Sequence, residues 1–253
     1  MPYVEIEGQN FYYSGHKRKD GLPLLFCHGS GGGHHHWLYQ LKNLPPFINP
    51  LSVDLPGHGR SEGKAREDIG LYRDWLRRFV KALGLEQFLL GGHSMGGALA
   101  LAYALQYPEE VRGLILVGTG ARLRVRPSFL EELSRGSVPE SMLESLYDPD
   151  APGELVKRGR REIENSDPSV YLADLKACDS FDIMECLHRI KAPTLIICGS
   201  EDRMTPVKYS RFLDQNIPRS RLEIIDKAGH MVMLEQPEAV NRAIAQFVEE
   251  DLL

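Results

Sequence analysis

A serine between glycines, Gly92-His93-Ser94-Met95-Gly96, directly follows the apolar run Phe88–Leu90 and opens a segment rich in small residues. A serine on a sharp strand-to-helix turn can act as a nucleophile, provided that a base removes its proton. The turn strains the serine backbone, and side chains at Gly92 or Gly96 would collide with neighbouring elements. A helix beginning there adds a dipole that favours developing negative charge. The base must sit in a loop free to reach the hydroxyl, and His230, in Ala228-Gly229-His230 after the run Leu222–Ile225, has that place. His28 and His93 are rivals, but each lies inside another motif. An acid that orients the base should end an earlier strand, where Gly199-Ser200-Glu201-Asp202 follows Leu195–Cys198. Asp202 is the candidate and Glu201 its neighbouring rival, against the ordinary role of such an aspartate as a turn or cap residue. Ser94, Asp202 and His230 together would transfer an acyl group to water.

Acyl transfer also needs donors for an oxyanion. The backbone N–H of Met95 is one, and the glycine-rich loop His28-Gly29-Ser30-Gly31-Gly32-Gly33 should supply the other. Ser30 N–H is the first choice and Gly31 the fallback; one such donor lowers a barrier by about 3–4 kcal/mol.

Two further clusters invite chemistry. His34-His35-His36 looks like a metal set, but adjacent residues point in different directions and no neighbouring carboxylate or cysteine completes it. The expectation is therefore no metal, and a solvated loop leading through Trp37 into a helix. Asp54-Leu55-Pro56-Gly57-His58-Gly59-Arg60-Ser61 offers a rival acid in Asp54, yet a tight turn with Asp54 bonding the loop backbone explains it better.

The elements that must position these residues alternate along the chain. Val4–Ile6 and Phe11–Tyr13 read as an antiparallel start, followed by the charged loop Lys17–Asp20. Leu24–Cys27, Leu51–Val53, Phe88–Leu90, Leu114–Val117, Leu195–Cys198 and Leu222–Ile225 are continuous apolar runs, expected for strands of a parallel sheet buried on both faces. Between them, Ile69, Tyr72, Leu76, Phe79, Val80 and Leu83 follow helical spacing, Met95–Gln106 is a second helix, and Val240, Ile244, Phe247 and Val248 mark the last. The fold class is α/β, with a mostly parallel doubly wound sheet. Residues 120–187 break the rhythm with short helical patterns cut by Pro127, Pro139, Pro149, Pro152 and Pro168. They read as a helical cap inserted into a core of residues 1–119 and 188–253.

Composition narrows the class. The chain has 253 residues, 30 basic against 35 acidic, for a net charge of −5. No basic field favours nucleic acid or an anionic membrane. Arg158, Arg160 and Arg161 among Glu154, Glu162 and Glu164 read as a solvated helix face. No apolar run approaches a membrane span, and no secretion signal is evident. The four cysteines show neither a disulfide framework nor metal spacing, which fits a reduced cytoplasmic enzyme.

These signals, in the order His28-Gly29, Asp54 to Ser61, Gly92 to Gly97, Gly199 to Asp202 and Gly229-His230 followed by Glu235-Gln236-Pro237, resemble the α/β-hydrolase superfamily, in particular its compact bacterial esterase and lipase-like branch. The resemblance spans Val4 to Val248 and implies the triad Ser94, Asp202, His230, a lid over the site and no cofactor. Dehalogenases and epoxide hydrolases of this fold place an aspartate where this chain has Ser94. Hydrolases of carbon–carbon bonds often carry Asn where it has His93. The expected function is cleavage of small-molecule carboxylic esters with small to medium apolar acyl groups. Alternatives are a non-catalytic ligand-binding protein, a carbon–carbon bond hydrolase or an acyltransferase using the same serine. The acyl pocket is expected to include Gly29, Met231, Phe129 and Leu146, with Met95 and Met233 adding flexible apolar surface. Oligomeric state is not legible from the sequence.

Overall fold

Alternate residues of the central strands face two different cores, as the apolar runs require. In the computed structural model, which describes residues 2–15 and 21–253, Leu25 and Cys27 lie in one core while Leu24 and Phe26 lie in the other. Leu114 and Leu116 likewise oppose Ile115 and Val117. This is the period of two expected of a strand covered on both faces. The stretch Lys17–Asp20 lies outside the described residues.

The eight-stranded sheet has the order β1-β2-β4-β3-β5-β6-β7-β8. The antiparallel start comprises β1 (Tyr3–Ile6) and β2 (Gln9–Gly15). Parallel strands follow: β3 (Leu22–Cys27), β4 (Ile48–Val53), β5 (Phe88–His93), β6 (Val111–Val117), β7 (Thr194–Gly199) and β8 (Ser220–Ile225). Helices α1 (Leu38–Asn43), α2 (Ile69–Ala82) and α3 (Met95–Gln106) precede β6 in sequence or lead into it. One core joins the sheet to α2 and α3; the other joins it to the C-terminal helix.

One strand departs from expectation. β8 is not buried on both faces: its residues are half-buried or exposed, and Ile224 is 37% exposed. It is the sheet edge, where Arg221 and Glu223 alternate outward and pair at 3.1 Å.

Between β6 and β7 in sequence come α4 (Pro127–Ser134), α5 (Glu140–Leu143), α6 (Gly153–Glu164) and α7 (Pro168–Ser180). Four of the five prolines start these helices rather than cut them, and Pro149 lies in the turn between α5 and α6. Pro127 and Pro168 occupy the first turn of α4 and α7, and Pro139 and Pro152 are the N-caps of α5 and α6. A missing N–H costs nothing at those positions. Phe129, Leu133, Met142, Leu143, Ile163, Tyr171 and Leu175 form a small core of their own among these helices. The chain ends with α8 (Val207–Asn216), α9 (Val232–Glu235) and α10 (Pro237–Asp251). Among the described residues no helix is long and apolar enough to cross a membrane.

Strand order reverses at β3, whose neighbours are β4 on one side and β5 on the other. In open parallel sheets the crevice at such a switch point lies beyond the carboxyl ends of the strands. The loops after β3 and β5 are those that carry Ser30 and Ser94.

Candidate active site

Ser94 joins β5 to α3 with φ 52° and ψ −116°, a left-handed conformation rare for a residue with a Cβ. The surrounding bonds hold it there. Its amide donates to Val117 O at 2.9 Å, and its carbonyl accepts from the Thr119 hydroxyl at 2.8 Å and from Gly97 N at 2.9 Å. The glycines are needed for close approach: a Cβ at Gly92 would lie 2.0 Å from Gly96 O, and one at Gly96 would lie 2.4 Å from Cys27 O.

His230 and Asp202 are buried together after β8 and β7. The His230 Nδ1–H donates to Asp202 Oδ2 at 2.9 Å, which leaves Nε2 with a free lone pair. Asp202 Oδ1 accepts from the amides of Met204 at 2.9 Å and Thr205 at 2.8 Å, and Oδ2 from the Thr205 hydroxyl at 2.8 Å. Burial acts to raise the Asp202 carboxyl, but His230 and these hydrogen bonds outweigh it and hold its pKa at about 2. Glu201, the rival acid, is exposed and meets Ser200. Glu235 supports the loop that carries His230 by accepting from Gly229 N at 3.0 Å and Asp148 N at 2.8 Å.

The other histidines are tied elsewhere. His28 donates from Nδ1 to Gly29 O at 2.8 Å and accepts from Leu55 N at 3.1 Å through Nε2, so it links two loops. His93 donates from Nε2 to the His230 carbonyl at 3.0 Å. Burial and then nearby His230 push His93 well below its ordinary pKa and keep it neutral. Asp54 is buried and accepts from His34 N at 2.6 Å, His34 Nδ1 at 2.9 Å and Arg60 N at 2.9 Å, away from His230.

Among the described residues, no hydrogen bond within the protein takes the Ser30 or Met95 amide. Gly31, the fallback donor, is committed: its N–H donates to Asp174 Oδ2 on α7 at 2.8 Å.

Ser94, His230, Gly29, Ser30, Leu146 and Met231 line one cavity of ≈ 100 Å³. Three expected residues do not. Phe129 is buried in the small core of α4–α7, while Met95 and Met233 are fully buried in the two main cores. Side chains inside a short helical segment must first fill its own interior, so apolarity alone does not tell wall from filling. Tyr147, Tyr171 and Leu175 are wall residues that the periodicity did not separate from the rest.

The histidine run also departs from its reading. His34 turns to Asp54, but His35 Nε2 and His36 Nε2 both reach Glu162 Oε1 on α6, at 2.5 and 2.9 Å. Glu162 is therefore not part of a solvated face, and a carboxylate does meet the run. It comes from 126 residues away, which spacing along the chain cannot reveal. Burial acts to raise the Glu162 carboxyl, but the two histidines hold it well below the usual range.

Comparisons with known proteins agree on the architecture. The sequence pattern of the alpha/beta hydrolase fold matches residues 23–237. A solved structure of a thermophilic esterase superposes with TM-score 0.84 at 34% identity, over 98% of this chain and 96% of that one. Monoacylglycerol lipase ABHD6 of Rattus norvegicus is 27% identical over 97% of this chain and 81% of its own length. The 2-hydroxy-6-oxo-6-phenylhexa-2,4-dienoate hydrolase of Comamonas testosteroni is 28% identical over 91% of this chain and 89% of its own.

Proposed function

The chain belongs to the alpha/beta hydrolase fold family, and from that premise we propose that it hydrolyses carboxylic esters of small to medium apolar acyl groups through an acyl-enzyme on Ser94. One observation carries the reading: the Asp202–His230 bond of 2.9 Å stands beside a cavity that Ser94 also lines. In the proposed reaction Ser94 Oγ attacks the ester carbonyl while His230 Nε2 takes its proton. The Ser30 and Met95 amides receive the oxyanion at the start of α3. Asp202 stabilises the imidazolium, which then protonates the departing alcohol as the C–O bond breaks. Water attacks the acyl-enzyme, giving its proton to His230, and Ser94 leaves with that proton restored. No step requires a cofactor or a metal.

The cavity supports small substrates. Its ≈ 100 Å³ compares with the ~150 Å³ apolar cavity that accommodates benzene. Acyl groups of a few carbons fit within it. Leu123, Val125, Met142, Leu146 and Ile163 make the wall mainly apolar. The carbon–carbon hydrolase reading is weaker, because a dienoate carries a carboxylate. The cavity presents the Glu162 carboxylate, and its guanidinium, Arg124, is exposed and donates to the Asp179 carbonyl at 2.9 Å.

The test is a chain-length panel of acyl esters on the purified protein and its Ser94→Ala variant. Turnover should peak at short or medium chains, and Ser94→Ala should fold normally and lose nearly all of it. Unimpaired turnover in Ser94→Ala, or preference for long-chain emulsions, would overturn the reading.

A further inference from the structure

The turn His34–Trp37 and helix α6 approach each other through three potential metal ligands. His35 Nε2, His36 Nε2 and a Glu162 carboxylate oxygen lie within 4.8 Å of one another. The turn that carries the two imidazoles is fixed by the main domain. Trp37 is fully buried and stacks on Phe26 with ring centroids 4.1 Å apart, while the His34 amide is bonded to Asp54. Gly32 leaves room for the His36 ring, since a Cβ there would lie 2.5 Å from His36 Cε1. Glu162 is carried by the opposite partner, where Ile163 anchors α6 in the small core of the insertion.

We propose that His35, His36 and Glu162 bind a divalent transition cation, zinc by its chemistry, which clasps the inserted helices to the loop that follows β3. Two imidazole nitrogens and one carboxylate oxygen are a donor set that zinc accepts, with a fourth position left to water. Imidazole ligands disfavour magnesium and calcium, which take oxygen. Nitrogen and oxygen ligands at about 2.0–2.2 Å from a tetrahedral ion stand roughly 3.3–3.5 Å apart. The present separations of 2.5 and 2.9 Å from Glu162 are those of N–H···O bonds and must open by under about an ångström. The ligand atoms now up to 4.8 Å apart must draw together by about an ångström or more. The half-buried Glu162 side chain on α6 can supply the opening. His36 and Glu162 also line the cavity. The ion would replace two hydrogen bonds with coordinate bonds between two parts of the chain far apart in sequence. This site shares the cavity of Ser94 and His230 but none of their side chains, and it does not depend on the reaction proposed for them.

The test is a Zn²⁺ titration of the chelator-stripped protein, with bound metal counted after desalting and thermal unfolding followed in parallel. One zinc per chain with micromolar or tighter affinity is expected, together with a rise in Tm of several degrees. Co²⁺ should bind in its place and give the visible absorption of a tetrahedral nitrogen–oxygen site. Glu162→Gln and His35→Gln, which keep hydrogen-bonding groups, should each weaken binding at least tenfold, whereas His188→Gln should not. Absence of binding at 100-fold molar excess, or unchanged affinity in both Glu162→Gln and His35→Gln, would overturn the proposal.

Discussion

Asp174 Oδ2, on the inserted helix α7, accepts a 2.8 Å hydrogen bond from the amide of Gly31 in the loop after β3. The same carboxylate accepts from His58 Nε2 at 2.8 Å and from the Tyr72 hydroxyl at 2.6 Å, and it is fully buried. One side chain thus ties the inserted helices, the Pro56–His58 turn and the neighbour of Ser30 into one network. Asp174→Ala should cost about 3–5 kcal/mol in urea unfolding, because it strands the buried His58. Asp174→Asn should cost less, about 1–3 kcal/mol, and lower kcat more than it raises KM, since Ser30 would lose its alignment. An unchanged kcat in Asp174→Asn would separate this network from the oxyanion donors.

Asp202→Asn should lower kcat by about 10⁴, because an amide favours the wrong tautomer of His230. Glu201→Gln, at an exposed position, should stay within a few-fold. Steady-state kinetics on one activated ester compare the two, and the reverse order would move the acid to Glu201.

The depressed pKa of Asp202 has a consequence for stability. Its folded value of about 2 lies below the ordinary 3.8, so the folded state favours the carboxylate. The stabilisation is present above the unfolded value and is lost as pH falls through the folded one. Its size is about 2 kcal/mol. Urea unfolding at pH 6 and at pH 2 should show the advantage of the parent over Asp202→Asn shrinking at the lower pH. A constant gap would contradict the depressed value.

Leu146 lines the cavity and Phe129 does not. Leu146→Ala should shift the optimum of an acyl-ester series towards longer chains. Phe129→Ala should cost about 3–5 kcal/mol of stability and leave that optimum in place. A shifted optimum in Phe129→Ala would return Phe129 to the pocket.

Because no proposed step uses a metal, exhaustive chelation should leave ester turnover within a few-fold. Loss of turnover restored by zinc would give the His35–His36–Glu162 cluster a part in the reaction itself.

What the sequence determined by itself is local. Gly92 and Gly96 flank Ser94 because the turn leaves no space for a Cβ, and such a requirement is written in adjacent residues. The apolar runs disclosed buried strands because burial on two faces leaves no polar alternation, as in β3 and β6. The order of the motifs put Ser94, Asp202 and His230 after β5, β7 and β8. Contacts across the chain were decided by tertiary structure alone. The exposure of β8 follows from its place at the edge, which the apolar run Leu222–Ile225 could not disclose. Whether Phe129 or Tyr171 faced the cavity depended on how four short helices packed together. Glu162 read as one more charge on a solvated helix until folding carried it to His35 and His36. Nothing in the sequence of α7 sets Asp174 apart from its neighbours. A hydrogen bond between residues 31 and 174 exists only once the inserted helices lie over the sheet, and no local pattern encodes that approach.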